Sequence, residues 1–527
     1  MTEFHVDRRQ FLALMGGAAV TTVLPDFSAA ADKKTLVAVV EGDPPSLNIG
    51  MTSSIQTLMT ASPAYSWLIR LDGAGKPEPD LALEWKVSDD GLAYTFKLRP
   101  GVTWHDGKPF TSADAKFTIE NFLAKIQPIG KNAYVYLASV ETPDDLTLVL
   151  RFTQPNSPFL SVPFAYGPML PKHVWEDTNF TTNPHDKAPV GTGAWKFAEY
   201  KIGESIRYVK NENYFIKGQP YFDELVFRIM PDAVSRSAAF ENGELDTVSG
   251  NSIPYTDIPR LEAMPGVSSA GSTYAGTAWM ALINMDSGPY AKKPVRQALV
   301  HAIDRAFIRK NILPGISWNM VGPIWPDSPL YYKNLVDYEF SADKANALLD
   351  QAGFPRGADG TRFELRLMWQ TVFPVVNRMA DVMKQNLAAV GIKLIAMPLE
   401  PQAVIQRGYI NGEFDMIIGS YALGPDPDYG TERLYNSANI KPAPFTNNSH
   451  YRNPEVDKLF ADQKLATSFA DRKKIYDRIQ EIIWDDVPAF GVCEYQAKML
   501  FRSDYVTGVY DFWNSLGETF ARAKPAK

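Results

Sequence analysis

The chain has 527 residues, a formal charge of −7, 45% hydrophobic residues and a single cysteine. That length exceeds one hydrophobic core, so two or three domains are expected. An acidic balance with no basic stripe excludes nucleic acid as a partner, and the lone Cys493 excludes an internal disulfide.

In chain order, the N-terminus reads as an address. Asp7-Arg8-Arg9-Gln10-Phe11-Leu12 precedes an apolar stretch over 13–24 and then Ser28-Ala29-Ala30-Ala31. A basic start, a short apolar core and small residues describe an export signal cleaved near Ala30/Ala31. Its paired arginines resemble a twin-arginine signal; the alternative is an ordinary secretory signal with two arginines. The apolar part is about 12 residues, against the ~20 that a membrane-crossing helix needs, and no other segment is uncharged for long enough. Removing 1–31 takes away two arginines and three acids, so the mature chain is slightly less acidic. It is expected in the periplasm as a monomer with no membrane span.

Residues 35–41 read as a strand leading into Gly42-Asp-Pro-Pro-Ser-Leu-Asn48. Alternation at 94–98 and 146–152, with a turn at Asp106-Gly107, marks a β-rich stretch. Beyond it, 224–230 is a strand, 232–245 a helix and 246–250 a strand ending at Asn251-Ser252. With 35–41 these form one α/β lobe, interrupted by the β-rich insert. A crossing to a second lobe is expected near 281–284.

Pro294 opens a helix striped by Val295, Leu299, Ala302 and Ile303. Ser341 starts another, closed by Gly353. The clearest stretch, 363–422, reads β-α-β-α-β: strand 363–370, a helix opened by Pro374 and closed by Gly391, strand 392–399, helix 401–411 and strand 414–420. Such units build open parallel sheets whose ligands bind beyond the carboxyl ends of the strands, which puts Trp369, Gln370 and Tyr421 at one rim. A helix striped by Ile475, Ile479, Ile482 and Ile483 reaches Asp486, and 493–501 returns the chain to the first lobe. Cys493 follows Pro488 in an apolar run and reads as a small core residue. Two α/β lobes joined by several crossings make a hinge.

Four motifs then carry a resemblance. They are Leu98-Arg-Pro-Gly-Val-Thr-Trp-His-Asp-Gly-Lys-Pro-Phe-Thr111, Val190-Gly-Thr-Gly-Ala-Trp-Lys-Phe197, Pro294-Val-Arg-Gln-Ala-Leu-Val-His-Ala-Ile-Asp-Arg305 and Tyr451-Arg-Asn-Pro-Glu-Val-Asp457. In this order and spacing the chain resembles the extracellular solute-binding proteins of family 5, the peptide and nickel transporter group. The resemblance implies a type II periplasmic binding fold: signal 1–31, first lobe 32–70, 190–282 and 496–527, β-rich insert 71–189, second lobe 283–495. It also implies the substrate-binding component of an importer, with an inner-membrane ABC permease and its ATPase as partners. The motifs themselves read as structural: Trp104–Gly107 as a turn, Arg296 and Asp304 as helix partners.

In peptide-binding relatives, the resemblance implies, an aspartate three residues after a rim aromatic anchors the ligand's ammonium. Here Tyr421 is the aromatic, and the aspartate falls opposite Leu423 or Gly424. An unpaired buried ammonium costs several kcal/mol, so a plain di- or oligopeptide is disfavoured. Asp426 or Asp428 is the replacement if the loop turns inward; a turn whose acids face water or a helix N-terminus is the alternative. By the same resemblance Ser53, Ser54 and Asn251 lie at ligand-contact positions. Trp279, Trp369, Gln370, Tyr409, Glu494, Tyr495 and Trp513 complete the candidate pocket. Aromatic faces and neutral polar groups suit a neutral or polyhydroxylated solute, a glycoside, an opine or a modified peptide.

An enzyme is disfavoured, because no nucleophile elbow, P-loop or zinc-type spacing occurs. The mature histidines, His105, His173, His185, His301 and His450, include no pair three to five apart. Neither metal nor cofactor is expected. A receptor-coupled sensor would use the same lobes.

Overall fold

The computed structural model describes residues 34–52, 54–72, 75–127, 133–161, 167–271, 276–286, 288–496, 498–509 and 517–526. The export signal over 1–31, Ser53 and Trp513 lie outside them. No helix among the described residues is long and apolar enough to cross a membrane.

Thr35–Val40 pairs in parallel with Glu224–Ile229, 189 positions away in the chain. Ser205–Lys210 and Trp195–Lys201 extend this sheet antiparallel, so it is mixed. The helix expected over 232–245 is Ala233–Glu241, with Asp232 accepting from the Ser235 amide at 2.7 Å as its N-cap. The strand expected over 246–250 is Thr247–Ser249. It joins a separate three-stranded sheet with Met499–Arg502 and Val267–Ala270. The Asp246 carboxylate, accepting from the Val37 amide at 2.7 Å, ties the two sheets together.

The β-rich stretch is a four-stranded antiparallel sheet in the order Ala82–Val87, Ala93–Leu98, Thr147–Phe152, Leu137–Asp144. Period-2 alternation drives Tyr94, Phe96 and Leu98 into one core with Leu148, Leu150 and Phe152. Trp104–Gly107 is a turn: the Gly107 amide donates to the Trp104 carbonyl, and Gly107 has φ +90°. His105 joins two of the four motifs. Its Nδ1 accepts from the Gly191 amide at 3.2 Å and its Nε2 faces the Gly193 carbonyl at 3.0 Å. Burial lowers its pKa to about 4 against the opposing pull of the Gly193 carbonyl, so it is a neutral cross-brace at pH 7.

The second lobe is built on six strands in the order Ser317–Trp318, Ala489–Tyr495, Thr277–Ile283, Met416–Ala422, Phe363–Gln370, Ile392–Leu399. Phe363–Gln370 is parallel to both its neighbours, as the β-α-β-α-β pattern requires. Thr277–Ile283 is antiparallel to both of its neighbours and central. Thr277–Ile283 therefore already belongs to the second lobe's sheet, ahead of the crossing expected near 281–284. The helix after Pro374 runs Pro374–Ala389 and buries Val376, Met379, Met383 and Leu387. The helix expected over 401–411 is one α-turn, Pro401–Ala403, continued as a π-helix, Val404–Ile410. Asp304 N-caps Arg305–Asn311, and Arg296 donates to the carbonyls of Tyr290, Ala291 and Asp486. Both motif residues are structural. Cys493 is buried, its thiol pushed up to about 12 by burial.

Candidate solute cleft

Strand alternation sorts the expected rim residues onto opposite faces of the six-stranded sheet. Trp279, Trp369 and Tyr495 pack in the core on one face. Tyr409 and Tyr421 pack in the core on the other, their hydroxyls 3.3 Å apart. Trp369 and Tyr421 thus do not share a rim: successive side chains of a strand point to opposite faces, and residues 369 and 421 fall on different ones. Trp369 donates from Nε1 to Asn377 Oδ1 at 2.7 Å and is core, and Tyr421 is fully buried. Gln370 ends its strand half-buried.

What the fold does bring together is a cluster where the chain crosses between lobes. The Tyr495 ring stacks on Trp279 with centroids 5.7 Å apart and planes at 22°, and Phe373 meets Trp279 edge-on at 5.3 Å. The Tyr495 hydroxyl lies 2.8 Å from Ser420 Oγ. From the first lobe, Tyr255 approaches Tyr495 edge-on at 6.1 Å, and its hydroxyl makes a long 3.4 Å bond to exposed Asn251. Burial raises the Tyr495 hydroxyl to about 12 and Tyr255 well above its ordinary value, so both are neutral donors. The Trp279 indole N–H is buried without a hydrogen-bond partner. Glu494, one residue before Tyr495, is 5% exposed on the other face of the strand. Burial, and secondarily Asp327, pushes its carboxyl up to about 8.

In the Pro425–Asp428 loop both acids are already paired. Both Asp426 oxygens accept from Arg472, at 2.6 and 2.8 Å, inside a buried pair. Asp426 also N-caps the turn Pro427–Gly430 through the Asp428 amide. Asp428 accepts from Gln463 at 2.5 Å and pairs with Lys464 at 3.5 Å. Of the two sequence readings of this loop, these contacts fit the turn and leave neither acid free. Ser54 serves as N-cap of Ile55–Ala61, accepting from Thr57 at 3.5 Å.

Beside this loop the lobes touch. Tyr429 packs against the cores of both the first lobe and the β-rich sheet. The Ser157 amide donates to the Lys464 carbonyl at 3.0 Å. A cavity of about 290 Å³ lies there, lined by Ser157 and Ser161 on one side and by Ser328, Asp426, Ser468 and Arg472 on the other. Sequence reading missed Tyr255, Phe373, Ser420 and Tyr429. Tyr429 sits one residue past the expected loop, and Ser420 was legible as the alternate-face neighbour of Tyr421.

Two mixed α/β bodies meeting across crossing strands, with aromatic and neutral polar groups at the crossing, form the architecture of a two-lobed solute-binding protein. The family model of the bacterial extracellular solute-binding proteins, family 5, matches residues 76–442, and the chain belongs to that family. Heme-binding protein A of Haemophilus influenzae is 30% identical over 438 residues, covering 79% of this chain and 78% of that protein. Oligopeptide-binding protein AppA of Bacillus subtilis is 29% identical over 449 residues, covering 80% and 79%. Among solved structures, the ABC transporter substrate-binding protein CtaP of Listeria monocytogenes superposes with a TM-score of 0.82 at 26% identity, covering 94% of this chain and all of that one.

Proposed function

We propose that the chain is the periplasmic substrate-binding component of an ABC importer. It closes its two lobes on a small solute and presents the closed form to an inner-membrane permease and its ATPase. Relatives in the family are named for heme, oligopeptides, dipeptides and glutathione, so membership leaves the cargo open. The observation that carries our reading is the Asp426–Arg472 pair. The acid nearest the family's ammonium-anchoring position is already neutralised inside the second lobe. At the crossing, the half-buried Tyr255 ring, backed by the Tyr495–Trp279 stack, and the neutral polar groups of Ser420 and Asn251 offer a stacking face and hydrogen bonds. That combination favours a polyhydroxylated solute, a glycoside, an opine or a modified peptide over a plain di- or oligopeptide.

Thermal-shift titration of the mature protein with peptides, sugars, glycosides and opines tests this. A ligand at 100 times its Kd adds about 2.7 kcal/mol to stability. A shift with hydroxylated compounds and none with plain peptides is expected. A shift confined to unmodified di- or tripeptides would overturn the solute assignment.

A further inference from the structure

Glu494 is a buried acid whose carboxyl makes no hydrogen bond among the described residues. It lies directly opposite Trp318 on one neighbouring strand and Ala278 on the other, so the Trp318 and Glu494 side chains leave the same face side by side. Trp318 is 40% exposed, which makes that edge of the sheet an opening and not sealed core. Asp327 and Tyr331 come from the segment that crosses this face. Asp327 is exposed and acts on Glu494, and Glu494 in turn acts on Tyr331. Ser328, the residue after Asp327, lines the 290 Å³ cavity between the lobes.

No cation among the described residues acts on Glu494. The arginines of this region are engaged otherwise: Arg305 with Asp337 and Arg309 with Asn319. Glu494 and Trp318 thus stand side by side, Tyr331 packs on the core of the same face, and Asp327 adds a second negative charge that Glu494 senses. Burying a carboxyl beside another acid is unfavourable unless a partner arrives. Aromatic faces over an acid suit an organic cation, whose charge is attracted both to the rings and to the carboxylate. Among the described residues no group of three acids, histidines or cysteines is placed to hold a metal ion, and two carboxyls are too few for a hard cation's oxygen shell.

We propose that Glu494, with Asp327, Trp318 and Tyr331, forms a subsite for a protonated nitrogen of the solute, an ammonium or guanidinium. This deepens the solute-binding reading and rests on it. The cargo then carries one cationic nitrogen beside its hydroxyls, and its acidic anchor comes from the last strand of the second lobe instead of the loop after Tyr421.

The test compares wild type with Glu494→Gln, the uncharged isostere of the protonated acid, and with Asp327→Asn. Each is screened by thermal shift and calorimetry against amino sugars, basic opines, agmatine, choline and their neutral counterparts. The expected result is a shift with at least one amine-bearing compound, with its Kd raised tenfold or more by Glu494→Gln and severalfold by Asp327→Asn, while ligand-free Glu494→Gln unfolds no lower than wild type. Equal affinity in wild type and Glu494→Gln, or no response to any cationic compound, would overturn the subsite. Neutral glycosides binding both proteins alike would sink the subsite and keep the hydroxylated-solute reading. Plain peptides whose binding is lost in Glu494→Gln would keep the subsite and sink that reading.

Discussion

At the residue scale the acids divide by whether a cation already holds them. Asp426 has both oxygens on Arg472 and little exposure. Removing one member of such a pair leaves a buried charge uncompensated, at a cost of about 3–5 kcal/mol. Asp426→Ala should therefore lower the urea midpoint of unfolding steeply, and the double variant Asp426→Leu/Arg472→Met should recover most of the loss. Glu494 behaves oppositely. Its folded pKa of about 8 lies above the ordinary 4.5, so folding favours its protonated form. Its contribution is complete below pH 4.5 and is lost as pH rises toward 8. Asp327 and Tyr331 face it from the crossing segment, Cys493 adjoins it on its own strand, and none carries positive charge. Ligand-free Glu494→Gln, which cannot ionise, should match wild type at pH 4.5 and unfold at a higher temperature than wild type at pH 8. Sequence alone listed both acids as candidates. It could not separate them, because Arg472 lies 46 positions from Asp426 and Asp327 is farther still from Glu494 in the chain.

At the scale of elements, the local signals were legible. Pro and Ser or Asp mark helix starts at Pro374, Ser341 and Asp232, and alternation marks the strands. Less legible was how strands share sheets. Thr277–Ile283 is apolar on both faces because it is central, and a continuous apolar run carries no face information. The π-turn at Val404–Ile410 has no sequence period of its own. The Val190–Phe197 motif gains a physical reason here: a Cβ on Gly193 would stand 2.4 Å from the Pro63 carbonyl oxygen, and one on Gly191 only 1.8 Å from that of Ala64. Backbone atoms cannot swing aside, so Gly193→Ala should cost several kcal/mol by the overpacking route. Circular dichroism during thermal unfolding, with Gly42→Ala as a control where a Cβ meets nothing within 4 Å, checks it.

For the whole molecule, the two-lobe plan and the β-rich insert were legible from motif order, while the closure contact was not. Tyr429 belongs to the second lobe by sequence and to two other cores by packing. Replacing it by alanine removes apolar contact that exists only when the lobes meet. Tyr429→Ala should weaken solute affinity about tenfold, ~1.4 kcal/mol, and enlarge the ligand-free radius of gyration in X-ray scattering. Unchanged affinity and radius would show that the ring does not hold the closed form.

The C-terminal stretch carries a consequence for synthesis. Met499–Arg502 completes the sheet of Thr247–Ser249 and Val267–Ala270. Farther on, Thr519 accepts from the Trp195 indole at 3.1 Å and Tyr505 donates to Thr35 at 3.2 Å. Phe520 and Ala523 fill the same core as Leu36 and Phe227. The body begun first is therefore finished last, after nearly the whole chain has left the ribosome. A product cut short by even thirty residues holds a complete second lobe beside an unfinished first one. Its unfinished first lobe exposes apolar surface to any chaperone or protease that inspects it, so the order of assembly is itself a length check.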